Sequence, residues 1–223
     1  MNEETECLSF WMRFSKTGPI RFISHLDLTR AFHRAFFRAG IRLKTSSGFT
    51  PHPKFAFALP LSVGMESTAE YAVFTLAEGE KMEPEEIRRL LNEQMPKGVL
   101  IESVTAPRGK FSQIAFASYR ILLPGRAGLC FAANRLFEQK EILAEKRTKK
   151  GDIVEKNIAP SIREIAVTTA GEDLLITCTL AASGEEYLNP DLLVKALQKA
   201  SGEEIEEKRV VRTGVFGADG AGI

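Results

Sequence analysis

Apolar and polar positions change period several times along the first half of the chain, and each change predicts a new element. The run CLSFWMRFSK alternates partly and is rich in aromatic residues, which predicts a first strand. From Asp27 to Gly40 apolar residues recur at helical spacing, with Asp27 as the predicted N-cap and Gly40 as the C-cap. The core stripe of this helix consists of Leu28, Phe32, Ala35, Phe36 and Ala39.

The segment after this helix predicts strands, a second helix and a closing strand. Extended segments are expected near residues 42–45, 54–59 and 70–76, around a loop rich in glycine and proline. EPEEIRRLLNEQMP, with Pro84 in its first turn, predicts a helix, and GVLIESVTAP predicts a strand. The resulting β-α-β-β-α-β order is the ferredoxin-like arrangement.

The second half repeats this order loosely. A strand, a helix, two hairpins, a helix capped by Asn189 with Pro190 in its first turn, and a last strand are expected. We therefore predict an α+β protein of two tandem ferredoxin-like units with antiparallel sheets, covering residues 1–110 and 111–223. The hairpin at 144–158 is basic through Lys146, Arg147, Lys149 and Lys150, which indicates a solvated turn or a secondary RNA contact.

Positive charge is concentrated near the start of the chain. From Phe10 to Ala58 there are nine Lys or Arg residues and one acid, a balance of +8, although the whole chain carries only +1. All three histidines lie in the same segment. Such asymmetry favours a polyanionic partner, and a merely solvated basic face is the alternative.

The predicted first helix concentrates this charge in a stripe. Arg30, Arg34 and Arg38 follow one another at i, i+4 and i+8, flanked by His33 and Phe37, with no carboxylate four residues away. Guanidinium groups bind phosphates bidentately, and this spacing places them about 6 Å apart, as along a nucleic-acid backbone. Alternatively, the arginines cover core aromatics or pair with acids of the second half.

The loop SSGFTPHPK is a second candidate for anion binding. Backbone amides of Ser46 to Gly48 could cradle an anion, Lys54 would add charge and Phe49 a stacking face, whereas a rigid connection between strands would look similar. The predicted nucleic-acid or anion-binding set is Arg21, Arg30, His33, Arg34, Phe37, Arg38, Lys44, Gly48, Phe49, His52 and Lys54.

The catalytic residues stay undetermined. His25 and His52 are candidates for acid–base chemistry because imidazole titrates near neutral pH. Ser24, His25 and Asp27 suggest a hydrolase triad, yet neighbours in sequence seldom adopt triad geometry, and a structural role for His25 is the alternative.

Cysteine usage and hydropathy predict the compartment and the absence of a cofactor. Cys7, Cys130 and Cys178 are far apart, so we expect no disulfide framework, no metal site and no cofactor. The acidic N-terminus is unlike a signal peptide, and no apolar run reaches membrane length. We expect a cytoplasmic protein with no membrane association.

Four further motifs are spread over nearly the whole chain: FISHLDLTRAFHRAFFRAGI, SSGFTPHPKFAFALPLSVGMESTAEY, NPDLLVKALQ and VVRTGVF. They closely resemble the radical SAM-associated protein family, a bacterial domain of unknown function. Members of that family are fused to, or encoded beside, radical SAM enzymes, so the resemblance implies such an enzyme as partner. The matched residues are Arg21, His25, Asp27, Arg30, Arg34, Arg38, Gly48, Pro51, His52, Pro53 and Lys54.

The chain has no CxxxCxxC motif, so any radical SAM chemistry would belong to another polypeptide. A looser likeness in architecture is to the tandem ferredoxin-like proteins of CRISPR RNA processing. We therefore expect a non-catalytic accessory protein of a radical SAM enzyme, which binds RNA or ribonucleoprotein through the helix of Arg30, Arg34 and Arg38 and the loop from Gly48 to Lys54. The alternatives are a metal-independent endoribonuclease-like protein and a module that docks on the radical SAM partner.

Overall fold

A computed structural model describes residues 7–147 and 151–223. The fold is mixed α+β, with antiparallel strand pairing and, in these residues, four α-helices, which confirms the predicted α+β class. The chain divides into two compact units, Met1–Phe111 and Ser112–Ile223.

The elements of the first unit follow the predicted β-α-β-β-α-β order. Its sheet runs β4-β1-β3-β2, and every neighbouring pair is antiparallel. The elements are β1 (Ser9–Lys16), α1 (His25–Arg38), β2 (Phe55–Phe57), β3 (Glu66–Thr75), α2 (Pro84–Gln94) and β4 (Val99–Thr105).

Aromatic packing fixes α1 on this sheet. Phe32 lies 5.0 Å from Phe14 of β1, measured between ring centroids, and Phe36 lies 5.0 Å from Phe74 of β3. The predicted core stripe is confirmed at Leu28, Phe32, Ala35 and Phe36, which are buried, while Ala39 packs at its edge. One face of α1 is therefore buried against the core, and the opposite face is exposed to solvent. We call this exposed side the open face of α1.

The predicted N-cap of α1 is wrong. The helix begins at His25, and the hydroxyl oxygen of Ser24 accepts the Asp27 amide N–H at 3.1 Å. Ser24 also donates its hydroxyl proton to the Asp27 carboxylate at 2.7 Å. Asp27 thus belongs to the first turn, where its negative charge suits the helix dipole.

The second unit has a four-stranded sheet in the order β10-β5-β9-β8 and a separate hairpin of β6 and β7. The structure confirms Asn189 as the cap of α4 and Pro190 in its first turn. The predicted basic hairpin exists, but Lys149 and Lys150 lie outside the described residues. The elements are β5 (Ile114–Leu123), α3 (Ala127–Phe137), β6 (Leu143–Arg147), β7 (Ile153–Asn157), β8 (Ile162–Ala170), β9 (Asp173–Ala181), α4 (Pro190–Ser201) and β10 (Arg209–Gly217).

No helix in the described ranges combines the length and the apolar character needed to cross a membrane.

Candidate nucleic-acid interface

Ion pairs within the first unit occupy part of its basic segment. Acids that follow the segment in sequence pair with three of its arginines. The nitrogen–oxygen distances are 2.9 Å for Arg13–Glu102, 3.8 Å for Arg21–Glu66 and 2.5 Å for Arg42–Glu80. The balance of +8 read from the sequence therefore overstates the charge that this unit offers to a ligand.

The three arginines of α1 differ in their partners. Arg30 pairs with Asp27 at 2.9 Å, and Arg38 donates to the side chain and the backbone carbonyl of Gln94 on α2, at 3.2 and 2.5 Å. Arg34 is exposed and forms no hydrogen bond or ion pair with the described residues. Arg34 is thus the guanidinium of α1 that has no partner within the described part of the chain.

Two histidines of α1 pack edge-on against the phenylalanines of β2. The ring of His25 lies 5.2 Å from that of Phe57, and the ring of His33 lies 5.7 Å from that of Phe55. His25 is exposed, whereas Nε2 of His33 is buried without a hydrogen-bond partner in the described residues. Burial lowers the pKa of His33, and the nearby positive charge of His52 lowers it further.

A groove of about 540 Å³ runs between the second half of α1 and the segment that follows it. His33, Phe37 and Pro53 line its walls, and the buried Phe36 and Ile41 also line it. Phe37 is 86% exposed although it lines a groove. His33 and Phe37 were predicted site residues, whereas Ile41 was not, because the irregular segment after a helix has no periodic pattern that would mark a groove wall.

The glycine-proline loop closes on itself at its base. The Ser46 amide donates to the His52 carbonyl at 2.8 Å, and the His52 amide donates to the Ser46 hydroxyl at 3.1 Å. The predicted anion cradle is therefore wrong at Ser46, because its amide already has an acceptor. Gly48 has a φ of 142°, and Phe49 at the tip is fully exposed.

The two predicted lysines, Lys44 and Lys54, follow α1 in the chain and are not part of the helix. Lys44 directs its ammonium group to the sulfur of Cys7 at 3.2 Å. Lys54 is exposed and precedes Phe55, whose ring packs on α1.

Ser24, His25 and Asp27 do not form a triad. Asp27 bonds directly to Ser24 and pairs with Arg30, so no histidine lies between the hydroxyl and the carboxylate. These two partners, Ser24 first, lower the pKa of Asp27. The arrangement is a helix cap.

Neither a disulfide nor a group of metal ligands occurs among the described residues. Burial raises the pKa of the Cys178 thiol to about 12. Within residues 7–147 and 151–223, no three His, Cys, Asp or Glu side chains are grouped as a metal site.

A family model matches residues 10–190, and its description reads "Uncharacterized protein conserved in bacteria (DUF2344)". The chain belongs to the DUF2344 family. That description names no reaction, ligand or partner. No curated protein matches this DUF2344 chain.

Two solved structures align with most of the DUF2344 chain at 11% identity each. One is an unknown protein from Galdieria sulphuraria, with 93% of this chain and 99% of that chain covered and a TM-score of 0.28. The other is described as a glycine cleavage system transcriptional repressor, with 92% and 98% covered and a TM-score of 0.24. At such scores neither structure contributes to the assignment of fold or function.

Proposed function

We propose that this DUF2344 chain is a non-catalytic accessory protein that binds RNA or ribonucleoprotein through the open face of α1. The observation that carries this proposal is Arg34, an exposed guanidinium without an intramolecular partner among the described residues. An exposed, unpaired arginine retains its full capacity to bind a phosphate bidentately.

Arg30 and Arg38, one helical turn before and after Arg34, can bind further phosphates of the same RNA strand. Both side chains of the Arg30–Asp27 pair are more than half exposed, so solvent screens this pair and a phosphate can replace Asp27. Gln94 is neutral, so its bonds to Arg38 leave that positive charge uncompensated. Successive charges rise by about 6 Å along the helix, which suits a single RNA strand.

We also propose that both units are ferredoxin-like. In each unit the strands, counted without the β6–β7 hairpin, follow the order fourth, first, third, second.

We also propose that the chain acts in the cytoplasm and that its partner is a radical SAM enzyme. That part of the proposal rests on the family resemblance and on the missing CxxxCxxC motif.

Titration of a single-stranded RNA at several salt concentrations tests the RNA-binding part. We expect Kd to rise steeply with salt, and Arg34→Gln to weaken binding and to reduce the salt slope by about 0.7 if one phosphate contact is lost. Arg89→Gln is the matched control, because Arg89 is also an exposed helical arginine but pairs with Glu93. Equal effects of the two substitutions would contradict the role of Arg34.

Crosslinking in cells identifies the natural partner. RNA that is recovered with the wild-type protein and lost with Arg34→Glu would support the proposal and name the RNA class. An acidic protein recovered without RNA, and lost with the same variant, would instead favour the docking module. Cleavage of RNA by the purified chain, abolished in His25→Ala or His52→Ala, would favour the endoribonuclease.

A further inference from the structure

The groove beside α1 has the dimensions of a small-ligand site. Its volume of about 540 Å³ falls within the range of about 300–1,000 Å³ that is usual for such sites. Its rim carries Phe37, whose ring is mostly exposed to solvent in the free protein. An aromatic ring of this size is normally buried, so its exposure beside a groove indicates a surface that a flat apolar group can cover.

The lining of the groove includes one charged side chain, Arg42, which pairs with Glu80, and one imidazole, that of His33. Nε2 of His33 is buried and has no partner among the described residues, so no hydrogen bond from that nitrogen fixes the imidazole ring. The lowered pKa of His33 favours a neutral ring, which both donates and accepts hydrogen bonds. A nucleobase edge also presents donors and acceptors, and it could satisfy the imidazole after a rotation of the ring.

The positive charge of Arg34 beside the groove indicates that the flat group bound there carries an anionic substituent. Arg34 follows His33 directly and lies one turn before Phe37 and Arg38 on the exposed side of α1. A ligand that places a ring against Phe37 can therefore place an anionic group at Arg34. A planar heterocycle joined to phosphates is a nucleotide.

We infer that the groove holds one unpaired base of a single-stranded RNA, stacked on Phe37, while Arg34 binds an adjacent phosphate. This inference rests on the proposed RNA binding and specifies its substrate class as unpaired rather than duplex RNA. Duplex RNA keeps its bases stacked on each other and cannot insert one without unpairing it.

A fluorescent base tests the inference. A series of ten-nucleotide single-stranded RNAs carries 2-aminopurine at successive internal positions, and matched RNAs lack the base at the same positions. With wild-type protein we expect quenching of 2-aminopurine at the preferred position. We also expect the matching abasic RNA and the duplex form to bind roughly 5- to 100-fold more weakly, as for the loss of one stacked base.

Two phenylalanine variants separate stacking from folding. Phe37→Ala removes an exposed ring, so the fold should persist by circular dichroism, while quenching disappears and Kd rises by a similar factor. With abasic RNA, Phe37→Ala should cause no further loss, because the base and the ring act as a pair. Phe131→Ala is the matched control, an exposed helical phenylalanine of the second unit, and should bind as wild type.

The outcomes distinguish this inference from the proposed function. If wild type and Phe37→Ala show equal affinity and equal quenching while Arg34→Gln loses affinity, the protein binds RNA but the groove is not a base site. If wild type binds none of these RNAs, the proposed function fails and the inference fails with it.

Discussion

At the scale of single residues, the first unit retains unpaired charge where the fold supplies no acid. Arg13 and Arg42 reach acids that are distant in sequence, and Arg30 reaches Asp27 within its own helix. Arg34 lies on the open face, between turns that provide no carboxylate within its reach. The sequence already places Asp27 three residues before Arg30, but only the three-dimensional structure distinguishes Arg38, which bonds to Gln94, from Arg34.

His33 should give the stability of the protein a pH dependence. Because burial and the charge of His52 lower its pKa, the unfolded chain binds a proton before the folded chain as pH falls. The contribution of His33 is complete above its usual pKa near 6.5 and is lost as pH falls below that value. Urea unfolding at pH 7.5 and 5.5 should show a smaller difference in the free energy of unfolding for His33→Gln than for wild type.

The exposed His25→Gln is the control for this experiment, because His25 also packs against a phenylalanine of β2. Equal changes in both variants would assign the pH dependence to histidines in general rather than to the buried position.

At the scale of elements, the N-terminus of α1 depends on one hydroxyl. Ser24 accepts the Asp27 amide and donates to the Asp27 carboxylate, so Ser24→Ala removes both bonds. We expect a loss of about 1 kcal/mol in the free energy of unfolding, the usual value for an N-cap. Ser47→Ala, in the exposed loop, should change it by less than about 0.5 kcal/mol. Denaturant titration of both variants measures this, and equal effects would contradict the cap.

In the second unit, the backbone at Gly125 lies very close to the backbone at Glu172. A Cβ atom at Gly125 would lie 1.4 Å from the carbonyl oxygen of Glu172, whereas Gly184 has nothing within 4 Å. Gly125→Ala should therefore lower the free energy of unfolding by about 1–3 kcal/mol or more, because backbone must move. Gly184→Ala is the matched control and should be nearly neutral. A thermal melt in which both variants match wild type would overturn this reading.

Elements with strong periodicity were predictable from the sequence, and details that depend on a partner were not. The apolar spacing of α1 and the Asn189-Pro190 start of α4 were predicted and are confirmed. The cap of α1 was misassigned although the sequence carried the signal, because Ser24 and Asp27 have the S-x-x-D spacing of a capping box, which places the serine at the cap and the acid in the first turn. The groove was not predicted, because its far wall comes from the irregular segment that contains Ile41.

At the scale of the whole molecule, the placement of charge should matter more than its total. The chain has a formal net charge of +1, so uniform electrostatics would give almost no attraction to a polyanion. Half of the basic residues lie in the second unit, but its acids outnumber them, 16 against 15. Binding to a polyanion should therefore depend on local groups such as Arg34.

Heparin chromatography of two charge-reversal variants tests this placement. Arg34→Glu on α1 and Arg135→Glu on α3 both replace an exposed helical arginine, and both change the net charge from +1 to −1. If the location of the charge determines binding, Arg34→Glu should elute at clearly lower salt than wild type, whereas Arg135→Glu should elute near wild type. The reason is that a local cluster of charge, and not the average field of the protein, binds the polymer. Equal shifts in both variants would mean that the polyanion senses only the total charge, and the basic face of α1 would then have no special part in binding.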